Sequence, residues 1–286
     1  MLVFDFIKNK EYSDKKLLSQ IIFYITKVDN IYITEHTLSK AEISEIDKIY
    51  QKIVLQDYPL QYIIGKEKFL ANDFIIDKNV LIPRSETEYL VEKALVDIWS
   101  SDFDKKVCVY DIGTGSGIIG LSIAMWLTKK DISADIYMLD ISTDALSVAK
   151  QNLSNLNHKI SKNIYTYIGY SDLLAEVNWQ YEHIYILANL PYVDESDYNT
   201  NINQLRREPK IALVAENQGL ELYFRLLDEA LTKSSQVYIY IEINDRQYDI
   251  LLSKYSNSYD IDYVNTGHKN IYIAIFKFIN KSKIIL

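Results

Sequence analysis

The sequence predicts an α/β protein: a mostly parallel sheet with helices on both faces, preceded by a small helical bundle. Three observations carry this. From about residue 105, apolar runs of strand length alternate with helix-length segments, the order that builds parallel sheets through crossover helices. A glycine-rich turn, Asp-Ile-Gly-Thr-Gly-Ser-Gly at 111–117, parts the first of these strands from the first of these helices. Before Pro59, apolar residues instead recur three and four apart, the period of one helix face.

Taken in order, the first helix is capped by Ser13 and carries a stripe of Leu17, Leu18, Ile21, Ile22 and Ile25. A second shows Ile46, Ile49, Tyr50, Ile53 and Val54 at the same spacing. Both are too short to be stable alone, so their stripes are expected to form the core of a small bundle. Pro59 ends the helical pattern. KFLANDFIIDKNVLIP at 68–83 reads as a hairpin, two apolar runs parted by Asp77, Lys78 and Asn79. Ser85 and Glu88 then form a capping box that opens the helix SETEYLVEKALVDIW. Next come the strand VCVYDI, the helix IIGLSIAMWL, the strand DIYMLD and the helix TDALSVAKQNL. NIYTYIG and HIYILAN are further strands, and the helix GLELYFRLLDEAL precedes the strand QVYIYIEI. DIDYV and IYIAIFKF close the sheet as a hairpin. These readings divide the chain into a helical domain at 1–66, a hairpin linker at 67–84 and a sheet domain at 85–286.

A length of 286 residues is comfortable for two domains, and 48% hydrophobic residues suffice for a sizeable core. With one cysteine, Cys108, no disulfide can form within the chain, and its place in the first strand marks it as a small buried hydrophobe. The start, MLVFDFIKNK, has no apolar stretch long enough for a signal peptide and no segment could span a bilayer, so the expected location is cytoplasmic. The net charge of −8 argues against non-specific nucleic-acid binding, which draws on a surplus of Lys and Arg. His36, His158, His183 and His268 show no metal-ligand spacing, and no metal is expected.

Three constellations carry chemistry. Gly113, Gly115 and Gly117 let a ligand approach the backbone between a strand and a helix whose first N–H groups are unpaired. Gly115, Gly117 and Gly120 also satisfy the dinucleotide-binding spacing, which keeps a nicotinamide cofactor open. Asp140 ends the next strand, where a carboxylate can accept both hydroxyl protons of a ribose. Ala-Asn-Leu-Pro-Tyr at 188–192 follows the fourth strand. An amide or exocyclic amine is a poor nucleophile, because its lone pair is delocalised. The Asn189 side-chain oxygen and the Leu190 carbonyl can hold both its N–H groups, so that the lone pair faces an electrophilic methyl. Pro191 restricts Leu190 to extended geometry, and Tyr192 offers an aromatic wall. Arg84 either orients the hairpin, touches a cofactor edge, or forms a surface ion pair with Glu86 or Glu88.

From about residue 58 to its end the sequence resembles the HemK/PrmC-type methyltransferases. The resemblance rests on YPLQYIIGKEKF, LIPRSETEYLVEKAL, DIGTGSGIIGLSIA, the acidic end of IYMLD, SDLL, NLPY, EPKIALVAENQGLELY and IEINDRQ. It implies a Rossmann-like class I methyltransferase domain with a seven-stranded mixed sheet, following a helical domain that holds the protein substrate. The implied reaction is methyl transfer from S-adenosyl-L-methionine to the side-chain N5 of the glutamine in the Gly-Gly-Gln motif of peptide chain release factors. Gly113, Thr114, Gly115, Ser116, Gly117 and Asp140 are implied to bind the cofactor. Asp172 and Leu173 are implied beside its adenine, with Asn189 also at its edge. Asn189, Leu190, Pro191 and Tyr192 are implied to hold the substrate glutamine. One departure stands out: the family has Pro-Pro between the Asn and the Tyr, and here the first is Leu190. Asn-Leu-Pro-Tyr is also typical of ribosomal RNA adenine dimethyltransferases.

Other readings differ in kind. An RNA or DNA adenine N6-methyltransferase would use the same Asn and Tyr but call for a basic channel. An NAD-dependent dehydrogenase would use the glycine spacing and leave NLPY unexplained. A binding module without catalysis would leave both Asn189 and Asp140 without purpose.

Overall fold

The computed structural model describes residues 1–8, 12–28, 35–101, 106–200, 204–233, 236–268 and 270–278. The chain divides into two compact units, Met1–Gly65 with Asn203–Arg207, and Lys66–Ile202 with Glu208–Leu286. Residues 279–286 of the expected sheet domain lie outside the described residues.

The smaller unit holds α1 (Val3–Ile7), α2 (Lys15–Thr26), α3 (Lys40–Gln56) and α4 (Leu60–Ile64). The apolar stripes meet as expected: Leu18, Ile21 and Ile22 of α2 bury with Ile46, Ile49, Tyr50 and Ile53 of α3, while Val54 stays exposed. Asp14, not Ser13, caps α2, its Oδ1 accepting from Leu17 N–H at 2.9 Å. Ser13 is instead 3.2 Å from the Tyr50 hydroxyl. Ser39 and Glu42 form a full capping box on α3. Pro59 does not end the helical pattern. Its fixed φ and missing N–H suit a helix start, and it stands as N-cap of α4.

The larger unit opens with a hairpin, β1 (Lys66–Phe69) and β2 (Asn72–Ile75). Its turn is Leu70–Ala71, with Phe69 paired to Asn72, rather than the expected 77–79. Both turn residues take positive φ, at 43° and 63°, a turn that side-chain chemistry did not announce. Phe69 and Phe74 are buried in the sheet domain's core, so this hairpin is part of that unit rather than a linker between two.

The seven-stranded sheet has the order β5-β4-β3-β6-β7-β9-β8, with strands at Val107–Ile112 (β3), Ala134–Asp140 (β4), Ile164–Tyr170 (β5), His183–Ala188 (β6), Gln236–Asn244 (β7), Tyr259–Asn265 (β8) and Ile271–Phe278 (β9). β3 to β7 run parallel, and β9 joins β7 and β8 antiparallel. The helices are α5 (Glu86–Trp99), α6 (Ile118–Lys129), α7 (Thr143–Leu156), α8 (Glu195–Thr200), α9 (Glu216–Gly219), α10 (Glu221–Leu231) and α11 (Asp245–Tyr255). One core packs α5 and α6 on one face of the sheet; a second packs α10 and α11 on the other. The expected Ser85–Glu88 capping box does not form. Ser85 takes helical φ and ψ and bonds Glu86, and Glu88 reaches back to accept from Leu70 N–H of the hairpin turn.

Chain order reverses at β3: β4 lies on one side of it and β6 on the other. The crevice outside the carboxyl ends of the strands at such a point is where doubly wound sheets bind ligands.

Candidate active site

Sheet register gathers the site. Ile112 pairs with Leu139 on one side and Ala188 on the other, and Ala188 pairs in turn with Ile241. The next residues, Asp140, Gly113, Asn189 and Glu242, therefore form one row across four neighbouring strands, at or just past the ends of β4, β3 and β6 and inside β7. Above this row lies a cavity of about 690 Å³, well within the size of small-molecule sites.

In the glycine loop, Gly113 has φ +71° and a Cβ there would stand 2.8 Å from Leu190 Cδ2, so only glycine admits the close approach of the two loops. Asp111, fully buried beneath the loop, accepts through Oδ2 from Thr114 Oγ1 at 2.5 Å and Gly120 N–H at 2.9 Å. Its Oδ1 has no partner among the described residues, and burial pushes the carboxyl up to about 7. Asp140 accepts from Gly115 N–H through Oδ2 and from Ser142 N–H through Oδ1, both at 2.8 Å. Burial raises its pKa and these bonds pull it back. Asn152 of α7 ties the same loop to the hairpin, accepting from Ile75 N–H and donating to the Ile75 and Ser116 carbonyls.

Beyond the end of β6, Asn189 Nδ2 donates to Thr87 Oγ1 at 3.0 Å. Thr87 donates to Glu242 Oε2 at 2.7 Å, and Tyr192 donates to Glu242 Oε1 at 2.9 Å. Glu242 is 1% exposed; burial raises its pKa, while the two hydroxyls oppose that. Burial and the neighbouring Glu242 hold the Tyr192 phenol protonated. Tyr223 donates to the Glu242 carbonyl at 2.6 Å and lies 3.3 Å from the Leu190 carbonyl. Gln247 donates to the Tyr192 and Gln218 carbonyls, and Gly219 lies so close to the Tyr192 carbonyl that a Cβ there would meet it at 2.0 Å. The segments EPKIALVAENQGLELY and IEINDRQ thus wrap and fix the loop at 189–193.

Of the residues singled out from sequence, Arg84, Gly113, Thr114, Gly115, Ser116, Asp140, Asp172, Leu173, Asn189, Leu190 and Pro191 line the cavity. Asp172 does so while its Oδ2 accepts from Arg225 Nη2 at 2.9 Å. Gly117 and Tyr192 do not line it. Gly117 is the N-cap of α6, packed against Ala149, and the Tyr192 ring is held behind the wall by Glu242 rather than serving as an aromatic wall. Arg84 pairs with neither Glu86 nor Glu88. Its Nη2 lies 2.5 Å from the buried Glu208, which also accepts from Ile82 N–H at 2.9 Å. Cys108 is buried, with its thiol pushed up to about 12. Sequence reasoning missed Thr87, Glu208, Tyr223, Glu242 and Gln247. A signal existed for Glu242, the one acid inside the apolar run VYIYIEI. Among the described residues no cluster of His, Cys, Asp or Glu has the makings of a metal site, and no helix is long and apolar enough to cross a membrane.

The fold and this site define a class I methyltransferase: the family described as methyltransferase small domain matches residues 91–218. The release factor glutamine methyltransferase of Mycoplasma mycoides is 30% identical, over 94% of this chain and 96% of its own. That of Streptococcus pneumoniae is 33% identical over 73% and 70%. The ribosomal protein uL3 glutamine methyltransferase of Francisella tularensis is 33% identical over 78% and 68%. The catalytic domain of human METTL16, solved with the MAT2A 3′UTR hairpin 1, shares the fold at 14% identity and TM-score 0.53, over 96% of this chain and 93% of that one. The chain belongs to the release factor glutamine methyltransferase family.

The residues present fit S-adenosylmethionine, the cofactor of that family. The space in front of Gly115 is open, with nothing nearer a Cβ there than the Gly113 carbonyl at 4.0 Å. The Asp140 carboxylate lines the cavity beside it, keeping lone pairs beyond its two backbone bonds. The nicotinamide reading of the glycine spacing gives way to this cofactor.

Proposed function

We propose that the protein transfers a methyl group from S-adenosylmethionine to the side-chain N5 of the glutamine in the Gly-Gly-Gln motif of a peptide chain release factor. The observation that supports this most is the single row of Asp140, Gly113 and Asn189 on one cavity, with a cofactor-type loop and an amide-holding loop side by side.

When bound, S-adenosylmethionine supplies a methyl already activated on a sulfonium. The glycine loop at 113–117 and Asp140 hold the cofactor, Asp140 by accepting from the ribose hydroxyls. Asp172 and Leu173 form the adenine end of the cavity. Asn189 Oδ1 and the Leu190 carbonyl accept the two N–H groups of the substrate amide and turn its lone pair toward the methyl. No strong base is needed, because the proton can leave after the methyl arrives. Leu190 acts through its backbone, so it serves here in place of the family's proline, while its side chain fills the space over Gly113. Gly117 and Tyr192 act one step back, as helix cap and as anchor of the loop. The helical unit is the element that recognises the release factor. The acidic balance of the chain favours a protein substrate over nucleic acid.

The test is mass spectrometry of a purified release factor incubated with the protein and S-adenosylmethionine, with ribosomal protein uL3 in parallel. A gain of one methyl on the Gly-Gly-Gln glutamine is the expected result. Methylation of uL3 alone, or of neither, would refute the proposed substrate.

A further inference from the structure

We infer that Thr87 and Glu242 are positioning residues that fix which end of the Asn189 amide faces the cavity. This rests on the proposed function above and deepens it, because an amide substrate can be held only by an acceptor at this place.

Both Glu242 carboxyl oxygens accept, Oε2 from Thr87 at 2.7 Å and Oε1 from Tyr192 at 2.9 Å. The Thr87 hydroxyl has a single proton, and that proton goes to Glu242. What remains on Thr87 Oγ1 can only accept, so the Asn189 atom at 3.0 Å must be the amide nitrogen. The other end, Oδ1, is thereby turned away from Thr87 as an acceptor for the substrate. A flipped amide would set Oδ1 against an oxygen with no proton left, and would meet the substrate N–H groups with N–H groups of its own.

The chain is also closed at its far end. Glu242 and Thr87 are each 1% exposed, so water does not readily reverse these bonds. Tyr223 and Gln247 hold the backbone on either side, through the Glu242 and Tyr192 carbonyls. Register supplies the alignment, since Ala188 pairs with Ile241 and so sets Asn189 level with Glu242. Thr87 comes from the start of α5, which the sheet carries to the same point.

The test compares Thr87→Val and Thr87→Ser with the unaltered protein. Single-turnover methylation of the release factor should fall about 10- to 100-fold in Thr87→Val and recover in Thr87→Ser. The dissociation constant for S-adenosylhomocysteine should hold steady in both. A Thr87→Val protein that methylates at the unaltered rate would overturn the inference. A second readout does not depend on methylation: nuclear magnetic resonance of the Asn189 side-chain NH2, assigned through its Cβ. In the unaltered protein one of its two protons should exchange slowly with solvent, and in Thr87→Val neither should. Two freely exchanging protons in the unaltered protein would overturn the inference even if no variant folded. Absence of release-factor methylation with a protected Asn189 proton would refute the proposed function and leave the polarity standing.

Discussion

Replacing Asp111 by Asn should change how stability depends on pH. Asp111 is the next-to-last residue of β3, fully buried beneath the glycine loop, with Oδ2 holding Thr114 and Gly120 and Oδ1 without a partner among the described residues. Burial pushes its carboxyl from 3.8 to about 7. Between those values the folded chain keeps a proton that the unfolded chain has lost. Stability from this group is therefore fully present below the unfolded value and declines as pH rises toward 7. From pH 5 to pH 7 the decline amounts to about 2 kcal/mol for a shift of this size. Asn keeps an acceptor for Thr114 and Gly120 and has no proton to titrate, so its curve should lack that component. Urea unfolding at half-unit steps from pH 5 to 8 measures it: the difference between Asp111→Asn and the unaltered protein should move by about 2 kcal/mol in favour of the variant across the window. Parallel curves would show that Asp111 is ionised throughout, and that the orphaned Oδ1 has a partner supplied from solvent.

Other expectations follow from the same network. Arg84→Ala should destabilise more than Glu208→Ala, because it leaves a carboxylate whose side chain is 2% exposed, whereas Arg84 is 32% exposed and can turn to water; about 3–5 against about 2 kcal/mol in urea unfolding, and the reverse order would refute the asymmetry. Gly113→Ala should cost about 1–2 kcal/mol from its positive φ alone, and a further part from Leu190 that Leu190→Ala relieves; a double-mutant cycle with no coupling would refute the steric part. Asn189→Ala should slow single-turnover methyl transfer by about 2–4 kcal/mol with cofactor affinity little changed, and a variant at the unaltered rate would remove its amide-holding role. Leu190→Pro should keep the rate within the same order, since the backbone carbonyl persists; loss comparable to Asn189→Ala would mean that the Leu side chain itself is required.

Much of this protein was legible along the chain, because periodicity and glycine placement act locally. The α2 and α3 stripes and the alternation of strands and helices are set by near neighbours and stand in the structure as read, and the glycine loop, Asp140 and Asn189 come together on one cavity. Caps and turns depend on partners farther along the chain. Ser13 and Asp14 are both competent caps, and the choice fell to Asp14 while Ser13 approaches Tyr50 across the bundle. Glu88 was drawn from its capping box by an unpaired N–H at Leu70, part of a turn with no glycine to announce it. What only the tertiary structure decided is the ground behind the site. Glu242 stands beside Asn189 because β7 pairs with β6 in one register, and Glu208 meets Arg84 across more than a hundred residues of chain. A buried carboxylate must find its donors wherever the fold brings them, and sequence separation carries no information about which ones arrive. The sequence alone determined which side chains could do the chemistry; sheet register and burial determined which of them are aimed, and by what.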